Sequence, residues 1–169
     1  WVNMITAVTL ALSLAFEPAE ANVMNRPPRN PREPLLSGFL IWRISFVSLL
    51  LVSGTFGLFL WERAQGTDID TARTIAVNTL VVFEVGYLFN SRYILAPVLN
   101  RTGLFGNPYA LLAVALVLAF QLLFTYAPPF QALFQTQAIN ADAWGRIVAI
   151  AVVVFVSVET EKALLRRRG

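Results

Sequence analysis

The sequence of 169 residues contains no cysteine, no histidine and a single lysine, Lys162. Without cysteine there is no disulfide framework, zinc finger or thiol nucleophile. Without histidine there is no Ser-His-Asp triad and no imidazole metal site, and the commonest proton shuttle is missing. The one lysine lies outside any G-x-x-x-x-G-K-[ST] segment, which excludes a phosphate-binding loop of that type. We therefore predict no catalytic and no cofactor-binding residue in this chain.

Charge is also scarce, because charged residues make up 14% of the chain while hydrophobic residues make up 57%. With a mean hydropathy of +0.63, this composition is typical of an integral membrane protein. The net charge of +3 would suit nucleic-acid binding. However, the basic residues lie at the ends of apolar blocks, where Lys and Arg report membrane topology, so no nucleic-acid partner is predicted.

The apolar residues form several long blocks, which exclude a single span or a peripheral anchor. They predict membrane spans at approximately residues 1–16, 35–61, 72–90, 108–127 and 143–165. We therefore expect an all-α polytopic membrane helix bundle with about five transmembrane helices, in one domain covering residues 1–169, with the lipid bilayer as a partner. Neither Met nor a basic segment precedes the short first block. We expect the chain to start inside or at the mouth of a membrane helix, without a signal peptide.

The segments between the blocks predict the orientation of the bundle. Residues 17–34 carry five of the nine prolines and three arginines, which favours an extended basic loop in water. With five spans, one side of the membrane holds only Arg63, Arg73 and Arg146 of the 13 Lys and Arg. Because the cytoplasmic side is the basic side, we expect a cytoplasmic C-terminus in a plasma or inner membrane.

Several residues near the ends of the predicted spans carry further expectations. Arg43, near the start of the second block, is expected to extend its guanidinium toward the basic interface. In the same block, Gly54 and Gly57 offer small surfaces for close helix approach. The charged residues after the last apolar run are expected to return the chain to water. They are Glu159, Glu161 and Lys162.

Glu84 lies within an almost entirely apolar run that Arg73 and Arg92 bound. At about 1.5 Å per helical residue it is roughly 12 to 16 Å from either arginine, near the middle of a span. A carboxylate at that depth costs several kcal/mol unless it finds a partner, a proton or a cation. We interpret Glu84 as an ion-binding or proton-binding carboxylate. The alternatives are a protonated Glu bonded to a neighbouring helix, or a span placed so that Glu84 is nearer the surface.

The polar residues of the first block fall on one face of the predicted helix. At 100° per residue they lie within an arc of about 120°. They are Asn3, Thr6, Thr9 and Ser13. In lipid, such a stripe faces other helices or an aqueous cavity. Both an ion site and ordinary helix-to-helix hydrogen bonding remain open for the stripe.

Several motifs of the chain together resemble the P-type cation-transporting ATPases. These motifs are Trp1–Thr6, Ala15–Pro18, Met24–Arg29, Thr71–Thr74, Asn90–Arg92, Asn107–Pro108 and Pro128–Phe134. They occur in the order of that family over essentially the whole chain. The resemblance implies the C-terminal membrane region of a pump, its sixth to tenth transmembrane helices.

The resemblance also implies a site. Asn3 and Thr6 match positions that ligate the transported cation through side-chain oxygens, and Glu84 matches the eighth-helix carboxylate of the calcium pumps. Such ligands suit a hard cation, which is calcium, a monovalent cation or a proton. Ala7 stands where the family usually has an acid, which favours one ion, a monovalent ion or a proton over two calcium ions.

In this family ATP phosphorylates an Asp in a D-K-T-G-T segment of a cytoplasmic domain, and the sequence contains no such segment. The resemblance therefore implies that ATP and Mg²⁺ act on the parent protein, whose N-terminal helices and cytoplasmic domains are partners of this chain. The chain alone is expected neither to bind these cofactors nor to hydrolyse ATP. Two alternatives are a free-standing ion-conducting or secondary-transport bundle, for which no inverted repeat is seen, and a purely structural membrane module.

Overall fold

The computed structural model describes residues 1–18, 36–93 and 96–168. All regular structure within these ranges is helical, which confirms the all-α class. The helices are α1 (Val2–Phe16), α2 (Gly38–Ala64), α3 (Ile69–Arg92), α4 (Arg101–Phe105), α5 (Pro108–Tyr126), α6 (Pro128–Phe134) and α7 (Ala141–Arg168). The predicted basic, proline-rich loop at residues 17–34 lies outside the described residues from position 19 onward.

Four of these helices, α2, α3, α5 and α7, are long and apolar enough to cross a bilayer. Helix α1 is apolar as well but shorter. Many large apolar side chains on these helices are exposed, as expected for a protein whose surface faces hydrocarbon and not water. The chain is therefore an integral, polytopic membrane helix bundle.

Helix α3 occupies the centre of the bundle and contacts α1, α2, α5 and α7. One apolar core joins α3 to α1 and α5, and it consists of Leu10, Val81, Leu88, Ala110, Ala113 and Val117. A second core joins α3 to α2 and α7, and it consists of Leu58, Ile75, Ile139, Ala143 and Ile147. These two cores lie on different sides of α3. Helix α3 therefore packs against the rest of the bundle on more than one side.

The start of α3 is fixed by a tight connection from α2. Gly66 has a positive φ of 84°, which permits the sharp reversal. Asp68 then caps α3, since its Oδ1 accepts the backbone N–H groups of Asp70 and Thr71 at 3.0 Å each. Asp70 in the first turn and Arg92 in the last turn also complement the helix dipole. Glu84 is thereby held at a defined depth in the second half of α3.

The charged residues near one end of the bundle pair with each other instead of reaching into water. Arg43 is buried, and its Nη2 lies 2.8 Å from Oε2 of Glu161. Lys162 is completely buried, with Nζ 2.5 Å from Glu159 and 3.2 Å from the carbonyl of Asn90. The expectations that Arg43 extends to the interface and that these residues return α7 to water are therefore wrong. Helix α7 packs beside α2 and α3, and this packing brings Glu161 to Arg43 and the carbonyl of Asn90 to Lys162.

Candidate functional site

Glu84 is the predicted site residue on the central helix. Its side chain is half-buried, and its Oε2 atom is buried without a hydrogen-bond partner among the described residues. No ion pair that these residues form involves Glu84. A buried carboxylate oxygen loses solvation worth several kcal/mol unless a proton, a donor or a cation reaches it. In the described part of the chain, no group therefore binds this oxygen.

Glu84 lines a groove of about 360 Å³ between α1 and α3. Asn3 and Thr6 line the α1 side of the same groove, so the structure brings all three predicted site residues together. Tyr87 and Ser91 line it as well, and the sequence analysis missed both. They follow Glu84 by three and seven residues, a helical spacing that places them on its face of α3 and that would have identified them.

The donors on α1 differ in how much of their bonding capacity is already used. The hydroxyl of Thr6 is buried and donates to the carbonyl of Val2 at 2.9 Å. The same hydroxyl also lies close enough to the Glu84 carboxyl to interact with it. Its single proton can be donated to only one acceptor, whereas its oxygen lone pairs remain available. Asn3 is exposed at the groove. Glu84, Asn3 and Thr6 therefore offer one carboxylate, one amide and one hydroxyl oxygen to the groove, and Tyr87 and Ser91 add two further hydroxyls.

Helix α1 changes geometry next to the site. It is α-helical over Val2–Thr6, π-helical over Ala7–Ala11 and a 3₁₀-helix over Leu14–Phe16. A π turn is wider than an α turn, and such turns are frequent at functional sites. The transition falls at Ala7, directly after Thr6. The wide turn also invalidates the assumption of 100° per residue along this block.

The predicted polar stripe of α1 is consequently divided between two surfaces. Asn3 and Thr6 face the groove with Glu84, whereas Thr9 and Ser13 line a different groove against α5. The Thr9 hydroxyl donates to the carbonyl of Ile5, and that of Ser13 donates to the carbonyl of Leu10 at 2.7 Å. Because these two hydroxyls line the other groove, they take no part in the candidate site.

The first turn of α1 is held against α5 by Trp1. The indole stacks on Phe124 with ring centroids 5.6 Å apart, and its Nε1 donates to Oε1 of Gln121 at 3.3 Å. Because Asn3 follows two residues later, this contact helps to determine where the amide lies in the groove. The described residues contain no group of three or more His, Cys, Asp or Glu that could hold a metal ion by themselves.

Taken together, the structure is a polytopic membrane helix bundle with a carboxylate in the groove between α1 and α3. A family model described as "Cation transporting ATPase, C-terminus" matches residues 1–164. The chain belongs to this family, as the resemblance of its motifs implied, and it corresponds to the C-terminal membrane region of cation-transporting ATPases.

Three relatives illustrate the similarity. The probable cation-transporting ATPase F of Mycobacterium tuberculosis is 42% identical over all of this chain and 19% of the relative. The cation-transporting ATPase pma1 of Synechocystis is 35% identical over 85% of this chain and 16% of the relative. The calcium-transporting ATPase type 2C member 2 of mouse is 32% identical over 99% of this chain and 18% of the relative. The chain thus spans about a fifth of the length of these relatives.

Proposed function

We propose that this chain is the ion-binding C-terminal membrane part of an ATP-driven cation pump, in which Asn3, Thr6 and Glu84 bind the transported cation. The main support is the buried Oε2 of Glu84, which has no hydrogen-bond partner among residues 1–18, 36–93 and 96–168 and lies in a groove shared with the other two residues. The names of the relatives, all cation-transporting ATPases, support the same function.

The donor set determines the kind of ion. All three side chains offer oxygen, which suits hard cations. Calcium takes about six to eight oxygen ligands, so three side chains give an incomplete shell that other helices of the parent or water must complete. Ala7 supplies no carboxylate at the centre of the site, and the single charge of Glu84 therefore favours one ion, a monovalent ion or a proton. One relative is named as calcium-transporting, which keeps calcium among the candidates.

The energy for transport would come from parts of the parent protein outside this chain. ATP and Mg²⁺ would act in its cytoplasmic domains, and the resulting helix movements would expose the groove to one side of the membrane and then to the other. In this scheme α3 provides the packed centre of the bundle, and α1 and α3 together carry the cation ligands. The packing of α3 against α2, α5 and α7 supports the central place of this helix.

We propose further that the C-terminus of α7 is cytoplasmic in a plasma or inner membrane. The end of the bundle that holds it also holds Arg43, Arg92 and Lys162, which pair there with Glu161, Glu17 and Glu159 respectively. Arg146 lies at the opposite end and pairs with Glu62. This distribution agrees with the excess of basic residues expected on the cytoplasmic side.

The test is the Glu84→Gln variant of the intact parent protein. ATP hydrolysis is measured while Ca²⁺, Na⁺ and K⁺ are varied in turn and while the pH is varied. Loss of a charged ligand is worth about 1.5–3 kcal/mol, so the cation concentration for half-maximal activity should rise roughly tenfold to a hundredfold. If a proton is the transported ion, the pH profile should change instead.

Two threonines provide a matched comparison within the same experiment. Thr6 and Thr160 both donate to the carbonyl four residues before them, at 2.9 and 2.7 Å, but only Thr6 lines the groove. Thr6→Val should weaken cation activation, and Thr160→Val should leave it unchanged. An unaltered cation dependence and pH profile in Glu84→Gln would exclude Glu84 from the site.

A further inference from the structure

An ion pair joins the ends of the same two helices that form the groove. Arg92 is the last residue of α3, and Glu17 directly follows α1. The guanidinium of Arg92 approaches the Glu17 carboxylate with Nε 3.0 Å from Oε2 and with Nη2 2.8 Å from Oε1. The Arg92 side chain is 1% exposed and that of Glu17 is 19% exposed. A pair with two parallel bonds of this kind fixes orientation as well as distance.

Asn107 extends this pair to the start of α5. Its Oδ1 caps the helix by accepting the N–H groups of Tyr109 at 2.9 Å and Ala110 at 3.1 Å. Its Nδ2 donates to Oε2 of Glu17 at 2.8 Å and to the carbonyl of Ser13 at 3.4 Å. Both ends of the fully buried amide are therefore committed, so Asn107 holds the last turns of α1 against α5.

The third nitrogen of Arg92 is also used. Nη1 donates to the carbonyl of Gly103 in α4, which folds the α3–α5 connection back onto the ion pair. A Cβ atom at Gly103 would lie 2.2 Å from the carbonyl oxygen of Val98, so this close approach requires glycine. Burial alone would raise the pKa of Glu17, but hydrogen bonds from Arg92 and Asn107 and the charge of Arg92 lower that pKa overall. Glu17 is thus held in its ionised form.

The position of this cluster along the two helices relates it to the site. Glu84 lies about 12 Å before Arg92 on α3, and Thr6 lies roughly 16 Å before Glu17 on α1. Helix α1 passes through α, π and 3₁₀ geometry, so no single hydrogen-bond ladder determines its advance and rotation. The anchor at its end therefore contributes directly to where Thr6 lies relative to Glu84.

We propose that Glu17, Arg92 and Asn107 are positioning residues that set the spacing of the cation ligands on α1 and α3. The inference rests on the proposed cation site and adds a function for residues that touch no ion. The cluster fixes one end of the two-helix frame, and the contact of Trp1 with α5 fixes the other end of α1.

The experiment uses the intact parent protein with the variants Arg92→Gln, Arg92→Lys and Glu17→Gln. ATP hydrolysis is measured as a function of Ca²⁺, Na⁺ and K⁺, so that half-maximal concentration and maximal rate are separated. We expect Arg92→Gln to raise the half-maximal concentration about threefold to tenfold. Its rate at saturating cation should remain within about twofold of the unsubstituted protein. Arg92→Lys keeps the charge but not the two parallel bonds, and its shift should be intermediate.

The pair Glu62 and Arg146 is a matched control at the opposite end of the bundle. Arg146 also uses two nitrogens on one carboxylate, with Nε at 2.9 Å and Nη2 at 2.8 Å from Oε1 of Glu62. This pair joins α2 to α7, and neither helix carries a proposed ligand. Arg146→Gln should therefore leave the half-maximal concentration unchanged. Equal shifts in Arg92→Gln and Arg146→Gln would overturn the positioning role and reduce both pairs to general supports of the bundle.

A double-mutant cycle gives the second criterion. If Glu17 and Arg92 act through each other, the variant with both glutamines should shift the half-maximal concentration no more than Arg92→Gln alone. If the shift of the half-maximal concentration in the double variant equals the product of the two single shifts, the result contradicts the proposal.

Glu84→Gln is measured in parallel, so that two failures can be distinguished. An effect of Glu84→Gln without an effect of Arg92→Gln overturns only the positioning role. No effect of Glu84→Gln overturns the cation site, and the positioning role with it.

Discussion

A close contact between α2 and α3 predicts unequal effects for two glycines of the same helix. A Cβ atom at Gly54 would lie 2.7 Å from both Cε2 and Cζ of Phe83, whereas a Cβ at Gly57 would meet nothing within 4 Å. Ordinary carbon–carbon contacts are about 3.5–4.0 Å, so Gly54→Ala requires a displacement of about 1 Å. Phe83 is 1% exposed, so its ring is enclosed by neighbouring groups that must shift if it moves. The strain must therefore pass to the α2–α3 interface.

The magnitude follows from two terms of opposite sign. Both Gly54→Ala and Gly57→Ala gain helix propensity, worth about 1 kcal/mol each. Only Gly54→Ala adds an overpacking cost, which is typically about 1–3 kcal/mol. The two variants should therefore differ by about 1–3 kcal/mol, with Gly54→Ala the less stable. Each kcal/mol corresponds to roughly 2–4 °C for a cooperative unit of 150–250 residues.

The assay is thermal unfolding of the intact protein in detergent, followed by the loss of cation-stimulated ATP hydrolysis. We expect Gly57→Ala to match or slightly exceed the unsubstituted protein and Gly54→Ala to lose activity several degrees earlier. Because Phe83 directly precedes Glu84, Gly54→Ala should also weaken cation activation. Equal midpoints for the two variants would refute the reasoning, since they would mean that α2 and α3 do not approach each other closely at Gly54.

Two further predictions concern Glu17 and the orientation of the bundle. The pKa of Glu17 is lowered in the folded protein, so its contribution to stability is complete above about pH 4.3, the unfolded value, and declines as the pH falls through the folded pKa. The difference in stability between the unsubstituted protein and Glu17→Gln should therefore be constant near neutral pH and become smaller in acid. A difference that becomes larger in acid would contradict a lowered pKa of Glu17 in the folded protein. For the orientation, a cysteine at Arg167 should react with a membrane-impermeant maleimide only from the cytoplasmic side and one at Gly66 only from the opposite side, in a parent otherwise free of accessible cysteine. The reverse labelling pattern would mean that the bundle has the opposite orientation in the membrane.

The sequence was sufficient to predict that the protein lies in a membrane and that Glu84 is important. An apolar composition with recurrent long blocks specifies a helical membrane bundle, because hydrocarbon leaves no other way to satisfy the backbone of such spans. Glu84 is conspicuous because a carboxylate in a span is costly wherever the neighbouring helices lie. Its grouping with Asn3 and Thr6, by contrast, was implied only by the resemblance to a family. No spacing within one helix specifies which residues of another helix lie opposite.

The features that were missed or mistaken depend on tertiary structure. The π turn at Ala7–Ala11 has the same kind of composition as α-helical stretches of the chain, so the division of the polar stripe could not be read from residue types. The pairing of Arg43 with Glu161 and the burial of Lys162 depend on α7 packing beside α2 and α3, which periodicity does not specify. Hydropathy therefore assigned these charges to water, although burial with a partner satisfied them.

Cation binding by Glu84 can be measured directly as equilibrium binding of radioactive calcium, sodium or rubidium to the intact protein without ATP, at acidic, neutral and alkaline pH. We expect saturable binding of one of these ions, weakened roughly tenfold or more in Glu84→Gln and unchanged in Thr160→Val. If the transported ion is a proton, Glu84→Gln should instead alter the pH profile of ATP hydrolysis. Two results would contradict the assignment of the groove between α1 and α3 as the cation site. One is equal binding by the unsubstituted protein and Glu84→Gln. The other is no binding by either protein, together with an unaltered pH profile in Glu84→Gln.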